Sequence, residues 1–385
     1  MTAANANAKL VRMTYSSAGV DRLQRRVIRK QIHHVLRMES RKYPRGNPIE
    51  LPFGAVYPIS NKFKEFLDLQ IEGIGTKTLL AELHPEAYST IGIDGVAMVV
   101  NDIIRSGAKP LLLSDAIHIA ESRKDLIQSL LSGIRRGAEI SNCILASGET
   151  GDVSEVLHKT LLNNESRPFD IIVSCLGVVN RENLVMGKID PTDQIVGIES
   201  SGIHSNGLTL ARRILLKEWG GKYDLFDQPE GLDRPLIEEL LKPTRIYSKP
   251  VLEAVHKIGL KAAIHITGDG FSKFHRIIDY QRQLKGGKKV GIEFDGLGKG
   301  SSSTFDIFEI IQKTSKEIGK SISQREMYQT FNMGFGFAVV VEKQNVDQLV
   351  DLFNKYHRSK RIGQVTKSGD VRILRSEKVQ RTMTL

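Results

Sequence analysis

The chain has 385 residues, of which 40% are hydrophobic and 26% charged, a balance that excludes a disordered or fibrous chain and is large enough for two hydrophobic cores. No stretch of about 18 uncharged apolar residues occurs, and residues 1–9 lack the apolar run of a secretory signal, so the reading expects no membrane partner and a cytoplasmic location. Lys and Arg outnumber Asp and Glu 55 to 44 for a net charge of +11; with few aromatics and no RNA- or DNA-binding signature, this points away from nucleic acid and toward phosphorylated small molecules.

Taken in chain order, residues 1–12 read as a flexible tail. Nine basic residues then fall between Arg22 and Arg45 against the single acid Glu39, a solvated basic face. From about residue 66, short apolar runs at 67–71, 110–120, 143–146 and 171–179 alternate with amphipathic segments at 96–104 and 126–138, the pattern of an α/β core. Cys143 and Cys175 lie inside these runs and read as small buried hydrophobes. The polar stretch 180–193 marks a domain boundary. Beyond it come a strand at 194–199, a helix starting at Leu208, helical segments at 236–241 and 250–258, and a strand at 262–266. The stretch 286–303 reads as a strand between loops, and 337–365 as a strand, helix, strand unit. A second flexible tail closes the chain at 376–385. The expected domains are 13–180 and 181–375.

Several loops carry chemistry. Glu72-Gly-Ile-Gly-Thr-Lys77 follows the first strand; Gly73 and Gly75 expose backbone to a phosphate, Lys77 offers a charge, and Glu72 suits a hard cation. An ordinary glycine turn with a solvated lysine explains the same residues. Asp94 and Asn101 lie seven apart on a helix face roughly opposite the apolar stripe of Val96, Val99, Val100 and Ile103, with Asp102 on its flank. Asp94 as a plain N-cap stays open beside a role in magnesium bridging. Asp115 and His118, and Glu149 between two glycines, are placed where loops leave strand ends.

In the second half, Ser-Ser-Gly-Ile-His-Ser-Asn-Gly at 200–207 joins a strand to a helix N-terminus. Free N–H groups and the helix dipole favour an anion there, although a serine-rich cap has the same composition. His265-Ile-Thr-Gly-Asp-Gly270 and Thr330-Phe-Asn-Met-Gly-Phe-Gly336 are further glycine loops at strand edges.

These motifs, with Thr14-Tyr-Ser-Ser-Ala-Gly-Val-Asp21 and Pro243-Thr-Arg-Ile-Tyr247, occur in the order and at the spacing of the aminoimidazole ribonucleotide synthetases, the phosphoribosylformylglycinamidine cyclo-ligases, which the chain resembles from about Met13 to Leu374. The resemblance implies a mixed α/β, two-domain ATP-dependent synthetase fold. It also implies a homodimer whose N-terminal strands join in a central barrel. ATP and Mg2+ would be held by Lys30, Glu72, Gly73, Gly75, Thr76, Lys77, Asp94, Asn101, Asp102 and Glu149, with Glu72 and Asp94 on the metal. The phosphoribosyl substrate would meet Ser201, Gly202, His204, Ser205, Asn206 and Gly207, completed by Arg245, Thr267, Gly268 and Asn332. His204, His265 and Lys77 are the catalytic candidates.

The implied reaction closes the ring of formylglycinamidine ribonucleotide through a phosphorylated amide oxygen, giving aminoimidazole ribonucleotide in purine biosynthesis. Glu72, Ser147 and Asp269 depart from the family's Asp, Gly and Gly, and Arg45-Gly-Asn-Pro-Ile-Glu-Leu-Pro-Phe-Gly54 replaces a glycine-rich loop. The alternatives are formylglycinamidine ribonucleotide synthetase, selenophosphate synthetase, or a basic nucleotide-binding protein without catalysis. Selenophosphate chemistry calls for an early reactive cysteine, and the first here is Cys143.

Overall fold

A computed structural model describes residues 11–157, 168–297, 306–375 and 381–385. The first half is built on a six-stranded sheet in the order Ile49–Leu51, Gly54–Pro58, Glu65–Gly73, Phe169–Asn180, Lys109–Ile119, Ile144–Asp152. Its neighbours are antiparallel except for the last pair, which is parallel. Strand alternation sends Phe66, Ile117, Ile171 and Val173 into a core covered by the helices Tyr88–Ile103 and Lys124–Ser141. Those helices approach closely because both contact points are glycines: a methyl group on Gly92 would lie 2.2 Å from the Leu130 carbonyl oxygen, and one on Gly133 1.9 Å from that of Ser89. The segment Pro85–Ser106 is long and apolar enough to cross a membrane, but 83% of its apolar window is buried inside the protein. It is a core helix.

The other face of this sheet is open. Register aligns Leu69 with Leu176, Leu176 with Leu112, and Leu112 with Ile144, an apolar row across four strands. Leu69, Leu112 and Ile144 are 66%, 42% and 67% exposed. The expected central barrel needs the strands of a second chain; within this one, Ile49–Leu51 and Ile144–Asp152 are the free edges of an open sheet, and closure would require such edges to pair.

The second half carries a seven-stranded sheet, ordered Arg381–Thr384, Val371–Arg375, Gly291–Phe294, Ser359–Thr366, Gln194–Glu199, Phe335–Val341, Ala262–His265. Gln194–Glu199 and Phe335–Val341 are buried at every position. Alternate residues of each strand feed two separate cores, Ile195 and Val340 on one side, Val196 and Val339 on the other, as befits a sheet covered on both faces. The carboxy terminus differs from the expected tail, since Arg381–Thr384 pairs with Val371–Arg375 and Leu385 is buried. At the other end Val11–Arg12 pairs with Lys320–Ser321. Residues 1–10 and 376–380 lie outside the described residues.

The basic segment forms the helix Arg22–Ser40, capped by the Asp21 carboxylate, which accepts from the N–H groups of Leu23 and Gln24. Its polarity is reversed relative to an ordinary surface helix. Arg22, Arg29 and Arg37 reach into the body, to Glu326, Asp269 and Glu50, while Leu23, Val27, Ile28, Ile32 and Val35 face outward.

One apolar cluster runs through both halves, with Ile74, Leu80 and Val96 packed alongside Leu208, Leu215, Leu236 and Phe331. Within it lies a fully buried ion pair, Lys77 Nζ to Asp94 Oδ2 at 2.7 Å. Lys77 also donates to the Lys242 carbonyl oxygen (2.6 Å), and the Thr244 N–H donates to Asp94 Oδ1 (2.7 Å). Both charges are thereby spent on joining the first half to residues 242–244. Lys77→Met leaves the Asp94 carboxylate buried without its cation, and the expected cost is about 3–5 kcal/mol, read from the urea midpoint; a loss below about 1 kcal/mol would show that the pair does not hold the halves together.

Candidate active site

The helix Tyr88–Ile103 presents three polar side chains to the second half. Asp94 is in the helix interior rather than at its cap, and Ser205 Oγ adds a bond to its Oδ1 at 3.2 Å. Two turns later Asn101 brackets the next segment: its amide donates to the Arg245 carbonyl oxygen (2.8 Å) and its oxygen accepts from the Tyr247 N–H (2.9 Å). The predicted face therefore exists, but it grips the backbone of the Pro-Thr-Arg-Ile-Tyr motif.

Asp102 begins the chemical part of the site. Its Oδ1 accepts a hydrogen bond from His265 Nδ1 at 2.9 Å and its Oδ2 pairs with Arg105 at 2.8 Å. Burial alone would raise the Asp102 carboxyl, yet Arg105, Lys273 and the His265 bond hold it well below the usual carboxylate range. Burial pushes His265 down to about 4 in spite of Asp102, so the ring is neutral at pH 7. With Nδ1 fixed as donor, Nε2 carries a lone pair, and this buried atom has no hydrogen-bond partner among the described residues. A neutral imidazole oriented by a carboxylate is a general base in form.

Around this dyad the charge is predominantly positive. Lys273 Nζ donates to the His265 carbonyl oxygen (3.0 Å) and to Thr267 Oγ1 (2.6 Å). Arg105, Lys273 and Arg276 surround the ring of Phe53 at 4.9, 5.8 and 5.7 Å from its centroid, within cation–π range. Phe53 is at the tip of the hairpin formed by Ile49–Leu51 and Gly54–Pro58, which replaces the expected glycine-rich loop, and Tyr280 OH holds that hairpin through the Glu50 carbonyl oxygen (2.9 Å). A pocket opens beside Phe53, lined also by Asp68, Gln70, Asp102 and Arg105. Burial lowers Lys273 to about 8 and Arg276 to about 10. Glu72 moves the other way: burial and then the Asp102 charge push it up to about 7, against Lys273 and Arg105.

The loop 200–207 spends most of its polarity on itself. Ser200 Oγ donates to the Gly202 carbonyl oxygen, Asn332 bonds the Gly202 and Ile203 carbonyl oxygens, and Ser201 Oγ donates to that of Pro243. His204 adopts φ +65° and its Nε2 accepts from the Ser201 N–H at 3.1 Å. Burial, with His265, Lys77 and Arg245 adding, pushes its pKa well below the ordinary value. Gly207, at φ +88°, starts the helix Leu208–Leu215, and a methyl group there would strike Phe331 at 2.5 Å. Asn206 is beside Gly268, whose added methyl would be 3.2 Å from Asn206 Oδ1.

The structure thus brings together Glu72, Asp102, His265, Thr267, Gly268 and Asn206. It puts other predicted residues to different use. Lys77 is sealed away from any cleft, Arg245 Nη1 donates to the Glu199 carbonyl oxygen (2.7 Å), and Thr76 Oγ1 bonds Thr209 Oγ1 (3.0 Å). Gly73 is exposed, and Gly75, at φ +71°, has open space around it. Lys30 points to solvent, whereas its neighbour Arg29 reaches Asp269 at 2.7 Å. Glu149 is exposed in the strand Ile144–Asp152 rather than in a loop, and two strands separate it from that of Glu72, roughly 14 Å at the usual strand spacing. Asp115 and His118 are likewise within a strand. The residues missed from the sequence are Phe53, Arg105, Lys273 and Arg276. None of the four lies in a motif that marks it as functional.

Glu72 and Asp94 were expected to hold Mg2+. Asp94, fully buried against Lys77, does not suit that role, whereas Glu72 is only half-buried. Among the described residues no three His, Cys, Asp or Glu side chains are grouped as a metal site.

Two sheets, one open and one covered, with a histidine–aspartate dyad and a cationic cleft between them, define a two-domain α/β protein of the kind seen in hydrogenase maturation protein HypE and in PurL. HypE in its complex with ATP matches with a TM-score of 0.55 over 83% of this chain and 84% of that one at 13% identity. Thermotoga maritima PurL complexed with FGAR matches with a TM-score of 0.54 over 85% of this chain and 46% of that one at 16% identity. Residues 55–179 match the AIR synthase related protein N-terminal domain and residues 190–375 its C-terminal domain. The phosphoribosylformylglycinamidine cyclo-ligase of Pyrococcus horikoshii is 33% identical over 92% of this chain and 96% of its own length, and that of Carboxydothermus hydrogenoformans 34% identical over 95% and 99%. The chain belongs to the aminoimidazole ribonucleotide synthetase, or phosphoribosylformylglycinamidine cyclo-ligase, family.

The raised Glu72 carboxyl has a consequence for stability. At about 7 folded against an ordinary 4.5, the native state keeps a proton that the unfolded chain has released, so its contribution falls as pH rises through that window. Glu72→Gln cannot ionise and is expected to gain stability over wild type progressively from pH 5 to 7.5 in parallel denaturation series. A difference independent of pH would contradict the shift.

Proposed function

We propose that the protein catalyses the ATP-dependent ring closure of formylglycinamidine ribonucleotide to aminoimidazole ribonucleotide, a step of purine biosynthesis in the cytoplasm. The observation that carries this reading is the end-to-end match, across both halves, to relatives that all bear the cyclo-ligase name. ATP supplies the phosphoryl group that makes the formamide oxygen a leaving group. The amidine-side nitrogen then attacks the activated carbon, a C–N bond forms, and phosphate and a proton depart.

The chain's own residues divide this work. His265 Nε2 takes the proton released from the attacking nitrogen, while Asp102 keeps Nδ1 protonated and the ring oriented. Lys273, Arg276 and Arg105 neutralise the phosphate charge, which is the larger part of catalysis in phosphoryl transfer. His204 serves the shape of the 200–207 loop by accepting from the Ser201 N–H. Asn206, Thr267 and Gly268 form the adjoining substrate wall.

Purified protein with MgATP and formylglycinamidine ribonucleotide is expected to release ADP and an aromatic aminoimidazole in equal amounts; with folded protein, absence of both products would overturn the reading. His265→Asn is expected to lower kcat by about 10²–10⁴ with a smaller change in KM, the range of a lost general base. Removal of ammonia from the assay leaves turnover unchanged, which separates this reaction from an ammonia-using synthetase.

The apolar row Leu69, Leu176, Leu112 and Ile144 supports a homodimer formed through the open sheet face, since such a contiguous patch is unfavourable in water. Leu69→Asp is expected to halve the mass seen by sedimentation. A wild-type monomer at micromolar concentration would contradict the dimer.

A further inference from the structure

The helix Arg22–Ser40 touches the body with its charges and turns its apolar residues away. Leu23, Val27, Ile28, Ile32, Val35 and Leu36 are each more than half exposed, and among its described side chains only Arg22, Arg29 and Ser40 are as much as half-buried. Arginines seven and eight residues apart, brought to one side by two turns of helix each, make the contacts instead. Arg22 pairs with Glu326 at 2.8 Å and also donates to Thr330 Oγ1, Arg29 pairs with Asp269 at 2.7 Å, and Arg37 pairs with Glu50 at 2.9 Å.

The ends are fixed differently from the middle. Before the helix, Met13, Tyr15 and Ala18 are buried, and the Tyr15 N–H donates to Glu326 Oε1 at 2.8 Å. Beyond it, Tyr43 OH donates to the Pro58 carbonyl oxygen (3.1 Å) and Arg45 to that of Ile59 (2.9 Å). One end is thus tied to the second half and the other to the first. Between them the helix is joined to both flanks of the cleft: Asp269 follows His265 and Thr267 in their loop, and Glu50 is in the hairpin that carries Phe53. Asp269 also directly precedes the helical turn Gly270–Phe274 that carries Lys273, yet its carboxylate makes no capping bond there. It is committed to Arg29. Both members of that pair are about one-third open to water, at 37% and 30%, so salt weakens it: the screening length falls from about 10 Å at 0.1 M to about 3 Å at 1 M.

We propose that Arg22–Ser40 is a strap over the cationic cleft, latched by the Arg29–Asp269 ion pair, and that an anionic ligand enters when this latch opens. An anion arriving at Lys273 meets the like charge of Asp269, and the Arg29 guanidinium exchanges carboxylate for ligand phosphate while the tied ends stay in place. The strap's apolar residues face outward, so no core packing holds it shut once the pair breaks. The inference concerns access to the cleft and holds for any phosphate-bearing ligand, whatever reaction follows.

Two measurements test it. A 19-residue helix freed from its tethers is marginal in water, so release is read as hydrogen exchange of the amides of 24–36, against the core helix Tyr88–Ile103 as internal reference. Exchange is expected to rise roughly tenfold or more in wild type between about 0.05 and 1 M NaCl, with the core helix unchanged. Arg29→Gln and Asp269→Asn are expected to show that rise already at the lower salt, and the double swap Arg29→Asp with Asp269→Arg to restore protection. Wild-type amides equally protected at both salts, or single variants that exchange as wild type does, would overturn the latch. The second measurement is stopped-flow binding of a fluorophore-tagged tripolyphosphate, counting only the binding that Arg276→Gln removes. Arg29→Gln is expected to bind roughly threefold faster than wild type, although the loss of a positive charge by itself slows an anion. Slower binding, or none in either protein, would overturn the gate.

Discussion

The buried ion pair between Lys77 and Asp94 is the constraint around which the two halves are arranged. Removing two charges from water costs several kcal/mol per ion, so the pair is tolerable only because each member is also hydrogen-bonded: Lys77 to the Lys242 carbonyl oxygen, Asp94 to the Thr244 N–H and Ser205 Oγ. Those partners all come from the second half. The consequence is geometric: the face of Tyr88–Ile103 that carries Asp94 also carries Asn101 and Asp102, and fixing the first of these against residues 242–244 sets the register of the others. Asn101 then clasps 245–247, and Asp102 arrives opposite His265.

From that register follows the character of the cleft. Asp102 orients one histidine and is itself neutralised by Arg105, leaving a neutral imidazole beside an excess of positive charge. Such an arrangement suits a reaction in which phosphate is transferred and released while a nitrogen loses a proton. The departures from the family pattern are accommodated within it. Asp269 is matched by Arg29 from the basic helix, and the segment that replaces a glycine-rich loop puts Phe53 against three cations. The basic amino-terminal region is therefore partly internal wiring, since three of its arginines end on acids of the body.

Much of the fold was legible because its signals are local. Alternating apolar runs located the inner strands of both sheets but not the outer ones, Ile49–Leu51, Gly54–Pro58, Val371–Arg375 and Arg381–Thr384, and the 3.6-residue stripe of Val96, Val99, Val100 and Ile103 located the central helix with its polar face. The strand ending in Asp152 was cut short because Ser147-Gly-Glu-Thr-Gly reads as a turn, whereas pairing with Lys109–Ile119 carries it on as a strand. The site was legible in its acids and histidines, whose motifs are compact. What each one does was not, because that depends on partners far away in sequence: Lys77 and Lys242 are 165 residues apart, and His265 and Asp102 are 163 apart. Lys273 and Arg276 carried no motif at all. A basic residue after a glycine loop looks solvated until the sheet order folds it over Asp102.

The account makes one claim that a single structure tests most directly: phosphates bind at the Lys273, Arg276 and His265 end of the cleft while Lys77 stays bound to Asp94. A crystal structure with a non-hydrolysable ATP analogue and formylglycinamidine ribonucleotide is the measurement. The predicted result puts phosphate oxygens within hydrogen-bond distance of Lys273 or Arg276, with the Lys77–Asp94 contact still near 2.7 Å. A Lys77 turned away from Asp94 onto a phosphate, with Lys273 and Arg276 touching none, would contradict it.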